Sequence, residues 1–223
     1  MKTKKTIRSL SFFALLLTAS PLIAASIIVN GDFSANASSF TTFPGYRGFG
    51  ANPEIESWNF IDLSGGTGGN AGINGPDAVG VGEPFGPTTT VDISNYAFVQ
   101  NGTALIAQNL PTMLPNQEYS ISIAAANRAG NPDATGRIQI GDGAMTFYSS
   151  GDQSFTTESF QTITATFTTP SSFNGFPSIQ LYGFTSGDNT VAYSNVVLEA
   201  IPEPTSVTLL GGALLFSVLR RRR

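Results

Sequence analysis

The side chains best able to do acid–base chemistry in this 223-residue sequence are carboxylates, because the chain contains neither histidine nor cysteine. Ser-His-Asp triads and zinc sites built on histidine or cysteine are therefore excluded. Two carboxylates about 5–10 Å apart can hydrolyse a glycosidic bond. Glu54 and Glu56 stand two residues apart in an alternating segment, which predicts that both point to one face of a strand. Two acids on an acidic surface explain this spacing equally well, so we assign no catalytic residue.

A second pair of acids, Asp142 and Asp152, flanks a short predicted loop. Carboxylate oxygens at such positions could meet on a hard cation. Acids in solvated turns are the more common reason for this pattern, so we expect neither a metal site nor a cofactor.

Aromatic rings are the other side chains that could bind a ligand, because sugars stack on exposed ring faces beside polar side chains. The candidate ligand-binding residues are Trp58, Tyr46, Tyr148 and Tyr182. Aromatic residues of a β-sandwich more often belong to its core, and for Trp58 the core is the favoured interpretation. Of the few cations in this region, Arg128 and Arg137 are expected to pair with neighbouring acids rather than with a ligand.

The charge of the central region limits its partners. Residues 26–200 hold three arginines, no lysine and fourteen acids, a net charge of −11. Nucleic-acid binding requires a basic patch that releases counterions, so we expect no nucleic-acid partner. An anionic membrane surface would also repel this region.

Short alternating segments separated by turn signals must position these side chains, and no convincing helix interrupts them. This pattern predicts an all-β fold, a jelly-roll-like antiparallel β-sandwich, over residues 26–200. Residues 96–100 and 104–107 flank Asn101-Gly102 and predict a hairpin. Residues 63–90 are rich in glycine and proline and predict a long loop, with a short strand at most near 79–81. Within residues 26–34 the β-branched run predicts a strand, and Asn30-Gly31 predicts a turn or bulge. The other predicted strands are 54–61, 119–125, 137–140, 144–148, 160–168, 178–184 and 191–198.

Residues 1–25 have the pattern of a secretory signal peptide. Lys2, Lys4, Lys5 and Arg8 supply the positive region, an apolar stretch follows, and Ala24-Ala25 offers small residues for cleavage. The sequence therefore predicts export of the chain.

The C-terminal segment, residues 201–223, has three parts in a fixed order. Pro202-Glu203-Pro204 comes first, an apolar run of 13 residues follows, and four arginines end the chain: Arg220, Arg221, Arg222 and Arg223. As a helix the apolar run would measure about 20 Å, whereas the hydrocarbon core of a bilayer is about 30 Å thick. The run predicts a short hydrophobic helix, a weak transmembrane anchor with its arginines on the cytoplasmic side.

This tripartite tail resembles the PEP-CTERM sorting signal of Gram-negative bacteria. The resemblance covers Pro202, Glu203 and Pro204, the apolar run and the terminal arginines. It implies an exosortase-type membrane enzyme as a processing partner and transient anchoring in the inner membrane. The implied destination is the cell envelope, the outer surface or the extracellular matrix, often together with exopolysaccharide.

The central region resembles the galactose-binding-like, carbohydrate-binding jelly rolls that are common in PEP-CTERM proteins. The matching residues include the opening Asn30-Gly31-Asp32-Phe33, the later Trp58, and a last strand that leads directly into Pro202. Many such domains hold a structural calcium through an acid after the opening Phe and another before the Asn of the last strand. Ser34 and Ser194 stand at those places here, which argues against that calcium site.

These observations together predict an exported surface protein. The leading expectation is that it is not an enzyme and has a structural or adhesive role. The alternative is a carbohydrate-binding module for exopolysaccharide, and a glycoside hydrolase is a distant third.

Overall fold

The computed structural model describes residues 25–35, 55–63, 70–74, 93, 95–100, 104–128, 133–156, 159–184 and 190–202. In this part of the chain all regular structure is β. The strands are β1 (Asn59–Asp62), β2 (Asn70–Asn74), β3 (Tyr96–Gln100), β4 (Ala104–Asn109), β5 (Glu118–Asn127), β6 (Ala134–Gly141), β7 (Thr146–Ser149), β8 (Gln153–Phe155), β9 (Gln161–Thr168), β10 (Ser178–Gly183) and β11 (Thr190–Ala200).

These strands form two antiparallel sheets. Sheet A has the order β1-β4-β10-β6-β7, with β8 also paired to β6. Sheet B has the order β2-β3-β11-β5-β9. Neighbours in both sheets are mostly distant in sequence, as in a jelly roll, so the predicted all-β sandwich is confirmed.

The core lies between the two sheets and follows the alternation of the strands. In β6 and β10 every second side chain is fully buried, while the residues between them are partly exposed. Every described strand and the whole described core lie within residues 26–202. The largest buried side chains of the core are Trp58, Tyr119, Tyr193, Phe33, Ile55, Ile73 and Ile106.

Asn101-Gly102 does not connect a hairpin, contrary to the sequence-based prediction. Strand β3 pairs with β2 and β11 in sheet B, whereas β4 pairs with β1 and β10 in sheet A. The two strands therefore follow each other in sequence but lie in different sheets. An Asn-Gly pair favours a turn, but it does not determine which strand each neighbour joins.

The N-terminal segment turns at Asn30-Gly31, as predicted, but the β-branched run before the turn is not a regular strand. Asn30 and Phe33 have φ angles of 52° and 55°, which interrupt the extended backbone. The segment still docks on β11, through Ile27 N to Leu198 O at 2.8 Å and Val196 N to Gly31 O at 2.9 Å.

Strand β2 lies within the glycine-rich stretch that the sequence predicted to be a loop. Ala71 and Ile73 point into the core and are almost fully buried. Gly72 lies opposite Phe98 of β3. The predicted short strand at 79–81 lies outside the described residues.

The predicted signal peptide and nearly all of the sorting signal, with its hydrophobic helix, also lie outside the described residues. Only Pro202 of the Pro-Glu-Pro motif is described, and it is exposed where the chain leaves β11. No helix with the length and apolar character needed to cross a bilayer occurs among the residues that the structure describes.

Candidate functional site

Tyr182 points away from the core because of its position in β10. Ile179 and Leu181 are fully buried between the sheets, so Gln180 and Tyr182 lie on the outer face of sheet A. Register places Tyr182 beside Arg137 of β6, and Gln180 beside Gln139. We call the outward side chains of Arg137, Gln139, Gln180 and Tyr182, together with Phe184, the Tyr182 face.

Two aromatic rings and a guanidinium form the centre of the Tyr182 face. The rings of Tyr182 and Phe184 stack with centroids 5.4 Å apart and an interplanar angle of 16°. Arg137 Cζ lies 5.7 Å from the Tyr182 centroid and 4.9 Å from that of Phe184. Cation–π contacts of this kind hold the rings in place. Arg137 Nε donates to Asp152 Oδ1 at 2.7 Å, which confirms the expected ion pair.

Amide side chains border the rings on one side. The Tyr182 hydroxyl donates to Gln180 Oε1 at 2.6 Å, and Gln180 Nε2 donates to Ser178 Oγ at 3.3 Å. Burial raises the pKa of Tyr182, and the nearby Arg137 only partly opposes this, so the hydroxyl keeps its proton at neutral pH. The Tyr182 face therefore presents oriented groups that can exchange hydrogen bonds with hydroxyl groups.

A pocket of about 230 Å³ lies on the Tyr182 face, and the loop between β6 and β7 forms one wall. It is lined by Tyr182, Gln139, Gln180 and the segment from Gly141 to Thr146, apart from Asp142. Sites that take a drug-sized molecule have volumes of about 300–1,000 Å³. The smaller, open pocket fits one ring of a longer chain better than a whole enclosed ligand.

Asp142 fixes the loop that forms this wall. Its Oδ1 accepts hydrogen bonds from Ala144 N at 3.0 Å and Met145 N at 2.7 Å, and its Oδ2 accepts one from Asn174 N at 2.7 Å. The bonds from Asn174, Met145 and Ala144 hold the pKa of Asp142 below its usual value. The carboxylate thus ties the β6–β7 loop to the segment before β10.

Of the four aromatic residues predicted to bind ligand, the structure brings only Tyr182 to this face. Trp58 is 1% exposed, and its Nε1 donates to Asn30 O at 3.0 Å. Its indole also packs on Phe33, at 5.1 Å between centroids, so Trp58 belongs to the core. Tyr148 lies on the opposite, inner face of sheet A, where it stacks on Phe167 at 5.6 Å. Tyr46 lies outside the described residues.

Of the two acid pairs that the sequence offered, only Asp142 and Asp152 are both among the described residues, and they do not form one centre. Glu56 is exposed, and Glu54 lies outside the described residues. Asp142 binds backbone amides while Asp152 binds Arg137, so the two do not share a cation. Among the described residues no group of three or more acids could hold a metal ion.

Ser34 and Ser194, the serines where the family resemblance would place calcium-binding acids, have local partners. Ser34 Oγ donates to Asp32 Oδ1 at 2.9 Å, and Ser194 Oγ donates to Asn95 O at 2.6 Å. Ser194 is fully buried, so its hydroxyl stabilises the path of the chain before β3.

Sequence reasoning missed Phe184, Gln139 and Gln180 as parts of the site. The alternation of residues 178–184 already places Gln180, Tyr182 and Phe184 on one face. The pairing of β10 with β6, which brings in Gln139 and Arg137, joins residues about 40 positions apart and has no local signal.

A second groove, of about 490 Å³, lies beside the N-terminal segment and the edge of Trp58. Its buried amide, Gln108, already bonds to Val29 N, Val29 O and Ser57 O. This groove therefore offers mainly apolar surface, from residues such as Val29 and Pro111.

Neither a protein-family model nor a curated protein matches this sequence. Among solved structures, a cyclase from Fischerella sp. TAU superposes with a TM-score of 0.60 at 23% identity, covering 82% of this chain and 100% of that chain. The Stig cyclase Fisc from the same organism, in complex with (3Z)-3-(1-methyl-2-pyrrolidinylidene)-3H-indole, gives 0.59 at 21% identity, with 80% and 98% covered. The carbohydrate-binding module CBM4 gives 0.47 at 14% identity, with 78% and 99% covered. At these identities, what this chain shares with the two cyclases is the fold.

These cyclases correct the expectation that the chain is not an enzyme. Cyclases are enzymes, and they have the same β-sandwich architecture over nearly their whole length. The fold is therefore no argument against catalysis.

Proposed function

We propose that the chain is an exported protein whose Tyr182 face binds a neutral polysaccharide outside the cell. The observation that carries this proposal is the partly exposed ring of Tyr182, held by Phe184 and Arg137 beside the amides of Gln139 and Gln180. An aromatic face flanked by amides offers a sugar ring both stacking and hydrogen bonds.

The charge of the domain favours a neutral polymer over an acidic one. Residues 26–200 carry a net charge of −11, so they repel uronate or sulfate groups. On the Tyr182 face itself, Asp152 neutralises Arg137. Binding through stacking and amide hydrogen bonds should therefore change little with salt concentration.

Export and sorting are part of the proposal and are supported by the sequence motifs. The signal-peptide pattern of residues 1–25 brings the domain across the inner membrane. Pro202, Glu203, Pro204 and the terminal arginines would be recognised by an exosortase-type enzyme. The domain would then meet polysaccharide in the envelope or extracellular matrix, where the two ends of the chain direct it.

The test uses residues 26–202 and isothermal titration with soluble polysaccharides: a β-1,3-glucan, a xylan, a galactomannan, the host's exopolysaccharide, and alginate as the acidic comparison. At least one neutral polymer should bind saturably, and alginate should not. Tyr182→Ala should weaken that binding about tenfold or more, the effect of truncating an aromatic anchor. Leu114→Ala, at a side chain that is 60% exposed in the loop between β4 and β5, is the matched control. The proposal fails if no neutral polymer binds, or if both variants bind equally well.

The same samples also show whether the ligand is converted, because the fold is shared with cyclases. Mass spectrometry after prolonged incubation distinguishes a polymer that is only bound from one that is converted. Product formation that depends on Asp152, the acid beside the ring cluster, would favour glycoside hydrolysis instead.

A further inference from the structure

Strand β9 is an edge strand of sheet B and is paired along its whole length on one side only. Strand β9 pairs with β5 in unbroken register over eight residues, from Gln161 opposite Ala125 to Thr168 opposite Glu118. It is the last strand of sheet B, so within the part of the chain that the structure describes its other side faces no strand.

Hydrogen bonds at the end of β5 identify which backbone groups of β9 point to the open edge of the sheet. Thr169 N donates to Gln117 O at 3.0 Å, so residues 117 and 169 form a hydrogen-bonded pair. On the other side of β5, Ile201 N donates to Glu118 O at 2.8 Å. Because such pairs alternate along antiparallel strands, the odd-numbered residues of β9 bond to β5. The N–H and C=O groups of Thr162, Thr164, Thr166 and Thr168 therefore point to the open side.

The side chains of β9 do not protect this edge. The strand contains no charged residue, no proline and no bulge, which are the usual means of blocking an exposed edge. Its outward face carries four exposed threonines, and its inward residues Ile163, Ala165 and Phe167 are only partly buried. By contrast, β7 is a four-residue edge with a register shift, and β1 is a four-residue edge that ends in Asp62.

We infer that two copies of the chain associate through β9, antiparallel and about a two-fold axis. Thr164 of each copy would lie opposite Thr166 of the other, and up to about eight backbone hydrogen bonds would form. The two B sheets would then continue as one sheet, and the half-buried Ile163, Ala165 and Phe167 would become better covered. Threonine opposite threonine is a favourable cross-strand pair.

A second copy of the chain is the partner we expect at this edge, because an antiparallel copy of β9 can pair with β9 and the strand carries no charge. Each domain carries a net charge of −11, so two copies repel each other except where a neutral surface lets them meet. Salt screens this repulsion without weakening backbone hydrogen bonds. Association should therefore become stronger as the ionic strength rises.

The test is sedimentation velocity of residues 26–202 over a range of concentrations and at two ionic strengths. The unmodified segment should show a concentration-dependent dimer that is favoured by salt. Thr164→Pro removes an outward N–H without touching the bonds to β5, and Thr164→Lys keeps the N–H but adds a charge. Both should weaken dimerisation about tenfold or more. Thr164→Ala keeps the N–H and neutrality and should dimerise like the original.

Thermal unfolding of each variant identifies any that has failed to fold. If Thr164→Pro does not fold, the comparison of Thr164→Lys with Thr164→Ala decides. A segment that is monomeric at all concentrations would overturn the inference. So would a folded Thr164→Lys variant that dimerises as well as Thr164→Ala.

Discussion

Arg137 joins the ring pair of the Tyr182 face to the acid beside it. Its guanidinium lies over Tyr182 and Phe184 and also pairs with Asp152. The two side chains of the ion pair are 32% and 55% exposed, so solvent screens the pair. The contact of Arg137 with the two rings therefore stabilises the site more than its ion pair with Asp152 does.

If the ring contacts stabilise the domain more than the ion pair does, substitutions of Arg137 and Asp152 should lower the free energy of unfolding by different amounts. Asp152→Asn should lower the free energy of unfolding by less than about 1 kcal/mol, as for other exposed pairs. Arg137→Ala should cost about 1 kcal/mol more, because it also removes the cation–π contacts and the packing of the side chain. Urea denaturation of both variants measures the difference. Equal costs would contradict the importance given to the ring contacts.

Gly136 permits the close approach of Tyr193 from the facing sheet. A Cβ at this position would lie 2.3 Å from the Tyr193 hydroxyl and 2.7 Å from Tyr182 O. The same hydroxyl donates to Tyr182 O at 2.7 Å and so supports the strand that carries the site. Because the added methyl has no space, Gly136→Ala should destabilise the domain by about 1–3 kcal/mol.

A double-mutant cycle tests the cause of that destabilisation. Tyr193→Phe alone should cost about 1 kcal/mol for the lost hydrogen bond. In the Tyr193→Phe background, Gly136→Ala should cost less than in the original chain, because the nearest clashing atom is gone. Additive costs, measured by chemical denaturation, would show that the clash with Tyr193 is not the reason.

At the residue scale, the sequence predicted Tyr182 as a ligand-binding candidate together with Trp58 and Tyr148. Strand alternation locates a side chain on one of two faces, but it does not say which face meets the other sheet. Trp58 lies in an irregular segment and is buried through contacts with Phe33 and Asn30, which are 25 and 28 residues away in sequence. Such contacts leave no local pattern.

The β6–β7 loop owes its shape to one carboxylate. The pKa of Asp142 is lowered in the folded protein, chiefly by the hydrogen bonds from Asn174 and Met145. A carboxyl group with a lowered folded-state pKa stabilises the fold fully above its unfolded value, and that stabilisation is lost as pH falls through the folded value. The loop should therefore loosen in acid, below the usual value of 3.8.

Asp142→Asn should accordingly lower the melting temperature at pH 7, because the amide accepts fewer hydrogen bonds than the carboxylate. The difference from the original domain should shrink as the pH falls below about 4. Thermal unfolding monitored by circular dichroism measures both values. Asp133→Asn, at an exposed acid at the start of β6, is the matched control. A difference that does not change with pH would contradict this role of Asp142.

At the scale of elements, strands with strict alternation were well predicted. Residues 160–168, 178–184 and 191–198 correspond closely to β9, β10 and β11. Strand β2 was missed because its one glycine and two asparagines have low strand propensity, and its pairing with β3 overrides that preference. The prediction of a hairpin from residues 96–100 and 104–107 was wrong for a related reason, since pairing partners distant in sequence decide which sheet each strand joins.

At the scale of the whole molecule, the sandwich was predictable from composition and alternation, whereas the position of the site was not. The Tyr182 face exists because β6 and β10 are neighbours in sheet A. The fold is shared with cyclases. The chemistry of the domain must therefore be argued from the side chains on its surface rather than from its architecture.

The sorting proposal predicts where the chain accumulates in its host. Replacing Pro202, Glu203 and Pro204 by alanine should block processing, so that the uncleaved chain collects in the inner-membrane fraction. Immunoblots of membrane, envelope and medium fractions measure this, with Glu199→Ala in β11 as the control. Equal release of the original and the triple variant would contradict recognition of the motif.

The most direct test of the central claim is to map the binding surface by nuclear magnetic resonance. Isotope-labelled residues 26–202 are titrated with oligosaccharides of the neutral polysaccharide that binds best. Amide shifts should concentrate in β6, in the loop from Gly141 to Thr146, and in β10 around Tyr182. Shifts confined to the groove beside Trp58, or to the outer face of sheet B, would contradict the Tyr182 face as the binding site.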